Sequence, residues 1–250
     1  MSMQTNENQS TASPEDVARF TAMAETWWDA NGKFRPLHQI NPVRIGYIRD
    51  FVCAHFNRDG METKPFHGLE LLDIGCGGGL LCEPMARLGA SVSGIDAGDK
   101  NVAIASLHSE QSGLDITYRQ QLPEDLAASG KTFDIVLNME VIEHVADVDA
   151  FLAASASLIK PGGVMVLSTM NRTLKALALA KIGAEYVMRW LPVGTHDWRK
   201  FVKPSELARG LRPHNVQVSD ITGMVYSPLK DVWSLSKDLD VNYLVSAVRK

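Results

Sequence analysis

Leu69-Glu70-Leu71-Leu72-Asp73-Ile74-Gly75-Cys76-Gly77-Gly78-Gly79 runs an apolar strand into a glycine turn, and Ser91-Val92-Ser93-Gly94-Ile95-Asp96 follows as a second strand ending in an acid. Glycines at 75, 77 and 79 strip the strand-to-helix turn of side chains, so its backbone can approach a ligand at the helix N-terminus. Asp96, 21 positions after Gly75, is placed to accept both hydroxyls of a ribose. A dinucleotide fingerprint, G-x-G-x-x-G, requires a glycine at position 80. This chain has Leu80 there and reads G-x-G-x-G, with Asp73 two residues upstream. An NAD-dependent oxidoreductase shares the strand, the turn and the distal acid, and Leu80 speaks against it.

The chain has 250 residues, of which 45% are hydrophobic, enough to bury one α/β core with additions. Its net charge of −4 provides no basic field for a nucleic-acid backbone, so no nucleic-acid partner is expected. Cys53, Cys76 and Cys82 form neither a zinc spacing nor an even disulfide set, which suits a reducing cytoplasm. Residues 1–13 are polar, contain no Lys or Arg and no apolar run, and read as a disordered tail with no secretory signal.

Ser13-Pro14-Glu15-Asp16 starts a helix expected to reach about Trp28, with Ser13 as cap and Asp16 three residues later. A second helix is expected from about Pro42 to Phe56, and the two make residues 14–60 a helical N-terminal lid. From residue 66 to 250 one domain is expected, in which strands and helices alternate: strands at 69–74, 91–95, 115–119, 133–138 and 164–169, and helices at 79–88, 99–112 and 147–158. That alternation implies parallel pairing. Lys160-Pro161-Gly162-Gly163 reads as a break before the fifth strand, and two late strands are expected at about 216–222 and 242–249.

Glu140, Glu143 and His144 follow the fourth strand, where ligands of open α/β sheets collect. On a helix, i, i+3 and i+4 share one face. Two carboxylates and an imidazole suit a divalent ion such as Mg²⁺. Alternatively His144 acts as a general base without metal, or the acids merely complement a helix dipole.

The glycine turn resembles motif I of the class I S-adenosylmethionine methyltransferases, whose ligand has no pyrophosphate to cradle. The flanks narrow this. Trp27-Trp28-Asp29, Lys33-Phe34-Arg35-Pro36-Leu37-His38-Gln39-Ile40-Asn41-Pro42-Val43-Arg44, Asn138-Met139-Glu140-Val141-Ile142-Glu143-His144-Val145, Gly183-Ala184-Glu185-Tyr186 and Gly194-Thr195-His196-Asp197 resemble the ubiquinone-biosynthesis O-methyltransferases. The resemblance implies a Rossmann-like α/β fold, a seven-stranded mostly parallel sheet with an antiparallel last strand and helices on both faces. It implies methyl transfer to a phenolic oxygen of a polyprenyl-hydroxyphenol and of demethylubiquinol, other enzymes of that pathway as partners, and a cytoplasmic location at the bacterial inner membrane. It further implies that Asp73, Gly75, Gly77 and Asp96 hold the cofactor, that Arg44 meets the methionine carboxylate, and that Met139, Gln121 and Leu122 flank the adenine. A non-catalytic cofactor-binding module would lack the Glu140, Glu143, His144 cluster, and a methyltransferase for another small phenol or acid is the alternative.

Residues 172–200 read as an insertion contacting substrate and membrane. Between Leu174 and Leu191 the charges Lys175, Lys181, Glu185 and Arg189 fall within an arc of about 120°, successive residues turning ~100°. The opposite face is apolar. Such a helix is expected to lie in an anionic membrane surface with its cations toward headgroups, since four charges exclude a span.

Overall fold

The computed structural model describes residues 10–179 and 197–250. β1 (Glu70–Ile74) continues into the glycine turn, and α3 (Cys82–Arg87) follows it. β2 (Ser91–Asp96), α4 (Asp99–Gln111), β3 (Ile116–Gln120), α5 (Pro123–Ala128), β4 (Phe133–Met139), α6 (Val148–Ser157) and β5 (Ile159–Met170) continue the alternation. These five strands pair in parallel. β6 (Val216–Ser227), β7 (Val232–Ser236) and β8 (Asn242–Arg249) complete a sheet of order β3-β2-β1-β4-β5-β8-β6-β7, in which β8 is antiparallel to both β5 and β6.

Among the described residues the sheet therefore has eight strands, against the expected seven. The additional one, β7, forms an antiparallel hairpin with β6, which itself runs on to Ser227. Lys160-Pro161-Gly162-Gly163 does not precede β5 but is absorbed into it, as a register shift between Phe133↔Ile159 and Ile135↔Val164. A proline without an N–H donor and two glycines are tolerated there because the pairing with β4 is already interrupted.

Successive side chains of a strand point to opposite faces, and both faces are covered. Leu72, Ile74 and Val136 pack with Phe151 of α6 and with Leu207 of α7 (Pro204–Leu211). Leu71, Ile135 and Leu137 pack on the other face with Met85 of α3 and with Ile48 and Val52 of α2 (Arg35–His55). Full burial of each such side chain stabilises by about 1.5–3 kcal/mol, which fixes the C-terminal ends of β1 and β4 side by side. There the strand order reverses, and a crevice opens where open α/β sheets take ligands.

α1 (Pro14–Thr21) begins as expected, with Pro14 in its first turn and the Ser13 side chain accepting from the Asp16 N–H. It ends at Thr21, short of Trp28, and a separate 3₁₀ turn covers Ala24–Thr26. The break lets two adjacent indoles reach different acceptors: Trp27 Nε1 donates to Asn101 Oδ1 at 2.9 Å and Trp28 Nε1 to the Gly78 carbonyl at 2.9 Å. α2 starts earlier than expected, at Arg35, with Pro42 inside it. Pro36 occupies the first turn, the position that sequence reading had given to Pro42.

Candidate functional site

One cavity of about 690 Å³ lies at the reversal point, within the range of small-molecule sites. All eleven residues singled out in the sequence line it: Arg44, Asp73, Gly75, Gly77, Asp96, Gln121, Leu122, Met139, Glu140, Glu143 and His144.

The glycine turn makes the floor. Gly75 and Cys76 both donate their N–H to the Ile95 carbonyl, at 2.8 and 3.0 Å, which clamps the turn to β2. Gly75 has φ +70°, and a Cβ there would lie 2.4 Å from Val141 Cγ2. Gly77 has φ +52°, and its Cβ would lie 2.5 Å from the Trp27 ring. Neither position admits a side chain without displacing the cavity wall.

Asp96 closes the turn from the β2 side. Its carboxylate accepts from Gly77 N at 3.0 Å, Gly98 N at 2.8 Å and Asn101 Nδ2 at 3.0 Å. Burial raises its carboxyl above the ordinary range, and these donors oppose that. A carboxylate offers about four lone-pair directions, and three serve the protein, so one is left for a ribose hydroxyl where the sequence suggested two. Asp96→Ala removes that acceptor and also frees the Gly77 and Gly98 N–H groups, so S-adenosylmethionine affinity is expected to fall by about 1–3 kcal/mol, read by calorimetry. Asn101, which links Asp96 to Trp27, was not recognised from sequence. Its position in the first turn of α4 after the acid was the available signal.

Arg44 reaches the cavity from α2 and is buried. One donor meets the Leu37 carbonyl at 3.4 Å, and its Nε has no partner. Burial lowers the guanidinium's pKa, and the Glu140, Asp73 and Glu143 carboxylates oppose that. A buried cation with unspent N–H donors suits a carboxylate ligand. Asp73, buried beneath the turn, accepts from Cys82 Sγ at 3.3 Å, and burial pushes its carboxyl up to about 7. The glycine cradle, the remaining Asp96 acceptor and the Arg44 guanidinium together match the ribose and amino-acid ends of S-adenosylmethionine. Gln121 and Leu122 follow β3, with Gln121 N donating to the Asp96 carbonyl at 3.0 Å, and Met139 ends β4.

The expected helical face through Glu140, Glu143 and His144 does not form. Glu140 sits in the left-handed region at φ +58°, and only Ile142–His144 make a 3₁₀ turn. Each side chain has a partner of its own, and the Glu140 and Glu143 carboxyls also lie against each other. Ser168 Oγ donates to Glu140 Oε1 at 2.8 Å, Thr169 Oγ1 donates to Glu143 Oε2 at 2.8 Å, and His144 Nδ1 faces Asp16 Oδ1 at 3.7 Å. Among the described residues no group of three His, Cys, Asp or Glu side chains is arranged to hold a metal ion. The trio does not fit the expected Mg²⁺ site, and no step is assigned to an ion. Burial first, and then the neighbouring Glu140, hold the Glu143 carboxyl well above the carboxylate range. Ser168 and Thr169, at the end of β5, are site residues that the sequence did not flag.

Beyond the cofactor turn the walls are apolar, with Phe20 and Leu37 from the N-terminal segments, Met170 from β5, and Met224 and Trp233 from the β6–β7 hairpin. Lys175, expected to face headgroups, is instead paired with Asp238 and Asp240. Of the expected membrane helix, Leu174–Ala176 form a helical turn, and 180–191 lie outside the described residues. No helix among the described residues is long and apolar enough to cross a membrane.

Residues 45–219 match the model of a methyltransferase domain. A ubiquinone biosynthesis O-methyltransferase from Chelativorans sp. (strain BNC1) is 60% identical over 93% of this chain and 92% of its own length. One from Paramagnetospirillum magneticum is 57% identical over 96% of each chain. Among solved structures, the magnesium protoporphyrin IX methyltransferase of Synechocystis PCC 6803 with bound SAH superposes with a TM-score of 0.66 at 23% identity, over 94% of this chain and 96% of that one. That likeness concerns the fold alone, in keeping with a scaffold that hosts many chemistries. With motif I, a cavity suited to S-adenosylmethionine and near-full-length identity of this order, the chain belongs to the ubiquinone biosynthesis O-methyltransferase family.

Proposed function

We propose that the chain methylates a phenolic oxygen of a polyprenylated hydroxyphenol or quinol, with His144 as the general base. The observation that carries this reading is the placement of His144 in the same cavity as the cofactor turn, Asp96 and Arg44. When bound, S-adenosylmethionine supplies an electrophilic methyl on its sulfonium; the new C–O bond forms as the C–S bond breaks, and the electron pair stays on sulfur. A phenol titrates near ~10, so its proton has to be taken as the bond forms. His144 receives it. The apolar walls exclude water and hold the ring, and alignment of the reacting atoms contributes on the order of 7 kcal/mol or more. In this reading residues 14–60 act as the lid over both ligands.

Labelled S-adenosylmethionine with a panel of hydroxylated prenyl-phenols, with and without chelator, tests the proposal. Label is expected in prenylated catechols and quinols at equal rates in both arms. Transfer abolished by chelation assigns deprotonation to an ion in place of His144. Transfer only to short, unprenylated phenols or acids favours the alternative substrate class.

A prenylated substrate resides in the bilayer, and the same proposal therefore includes docking at an anionic membrane surface. Leu174 is 77% and Leu179 52% exposed, and Leu179 lies on the cavity rim. Wild type is expected to sediment with anionic vesicles, and a folded Leu177→Asp, Met188→Asp variant to remain in the supernatant. Equal sedimentation of the two removes the segment from the membrane contact.

A further inference from the structure

Asn101, in the first turn of α4, is only 2% exposed, and both ends of its side-chain amide are occupied. Its Nδ2 donates to Asp96 Oδ1 at 3.0 Å, and its Oδ1 accepts from Trp27 Nε1 at 2.9 Å. The chemistry of the partners fixes which end is which. An indole N–H only donates and a carboxylate only accepts, so a single orientation of the amide serves both. The N-terminal segment and the acid at the end of β2 are thereby joined through one buried residue.

Trp27 is itself fixed in place. Its ring stacks on Phe34 with centroids 3.7 Å apart and planes at 5°, and its carbonyl meets His38 Nε2 at 2.9 Å. It lies so close along the glycine turn that a Cβ on Gly78 would fall 2.4 Å from its Cγ. At the other end of the chain of bonds, Asp96 Oδ1 takes donors from Gly98 N and Asn101 Nδ2, whereas Oδ2 takes Gly77 N alone. The free lone-pair direction of the carboxylate therefore belongs to Oδ2. Burial raises the Asp96 carboxyl, and Asn101 opposes that more than either backbone N–H does.

We propose that Asn101 and Trp27 are positioning residues for the cofactor: Trp27 sets the Asn101 amide, Asn101 holds Oδ1 of Asp96, and Oδ2 is thereby aimed at one ribose hydroxyl. The proposal rests on Asp96 being the ribose acceptor. Trp27 and Asn101 both line the cavity, and their part is played through the Asp96 carboxylate. A consequence is that the acceptor is complete only while the N-terminal segment is seated on the glycine turn. Cofactor binding and the seating of residues 14–28 then favour each other to the same degree, as linkage requires.

The test uses the full chain and two ligands, S-adenosylhomocysteine and its 2′,3′-dideoxyribose analogue, titrated by calorimetry. Asn101→Leu is expected to bind S-adenosylhomocysteine at least about tenfold more weakly than wild type, and Trp27→Phe, which keeps a ring against Phe34, at least about fivefold more weakly. Both are expected to bind the dideoxy analogue within about twofold of wild type, because it has no hydroxyl for Asp96 to accept. Since the two residues act through one amide, the double variant is expected within about twofold of Asn101→Leu alone. Saturating S-adenosylhomocysteine is expected to slow amide hydrogen exchange over residues 14–28 at least about fivefold in wild type and less than about twofold in Trp27→Phe. Equal losses on both ligands, losses that multiply in the double variant, or equal slowing of exchange overturn the coupling. Equal wild-type affinity for the two ligands removes the ribose reading itself, whereas a wild-type preference kept in full by both variants removes the positioning role alone. Asn101→Ala is read in the same way where Asn101→Leu does not fold. Loss of fold in both assigns Asn101 to stability and overturns the proposal.

Discussion

Gly75→Val is expected to weaken S-adenosylmethionine binding at least about 100-fold. Two costs coincide at this residue. Its backbone lies at φ +70°, a conformation that L residues pay about 1–2 kcal/mol to adopt. Its Cβ would meet Val141 Cγ2 at 2.4 Å and Cγ1 at 3.1 Å, a collision between branched side chains with no flexible end to move aside. Overpacking of this kind costs about 1–3 kcal/mol, and relief comes only by opening the turn or by pushing residue 141 away. The first destroys the cradle; the second moves Glu140, Glu143 and His144 with it. Gly46 is a useful comparison, since a Cβ there meets nothing within 4 Å and its φ is unremarkable for a helix. Gly46→Ala is expected to bind the cofactor as wild type does. Calorimetry on both variants, with folding checked by circular dichroism, decides it, and a folded Gly75→Val protein within threefold of wild type would contradict the assignment of this turn.

His144→Ala is expected to lower kcat by about 10²–10⁴-fold, the usual contribution of a positioned general base. The effect should fall on chemistry alone. His144 packs on Phe20 and faces Asp16, whereas the groups proposed to hold the cofactor lie on β1, β2 and α2 and in the turn after β1. S-adenosylmethionine Kd is therefore expected within about twofold of wild type, a change well below the ~1.4 kcal/mol that a factor of ten represents. Single-turnover methyl transfer together with cofactor titration separates the two quantities. A variant that transfers at the wild-type rate would leave the reaction without its base.

The glycine turn and Asp96, which are proposed to hold the cofactor, are legible because they sit in one local sequence unit, whereas Arg44 comes from α2. Strand, turn and distal acid are all specified by short-range pattern, and the parallel alternation then brings β4 beside β1 without further information. The hairpin strand β7 was not legible. Val232-Trp233-Ser234-Leu235-Ser236 is short and half-exposed, and its turn is closed by Asp231 at φ +51°, a position with no glycine to mark it. Glu140 shows the same limit more sharply, since nothing in Met139-Glu140-Val141 signals a left-handed acid, and a helical reading of 140–144 followed from spacing alone. Asp16 and Thr169 escaped for a different reason. Each acts on a residue far along the chain, Asp16 on His144 and Thr169 on Glu143, and only the folded sheet brings them together. Pro42 misled because a proline in the first turn and a proline inside a long helix look alike until the helix start at Arg35 is seen.

The most direct measurement on the central claim is the chemical position of the transferred carbon. Protein incubated with S-adenosylmethionine carrying a ¹³C methyl and with a polyprenyl catechol is expected to yield one new aryl methyl ether carbon by NMR, formed at equal rate with and without chelator and lost in His144→Ala. A labelled carbon bonded to ring carbon, or no label in any prenylated phenol while the cofactor binds normally, would contradict it.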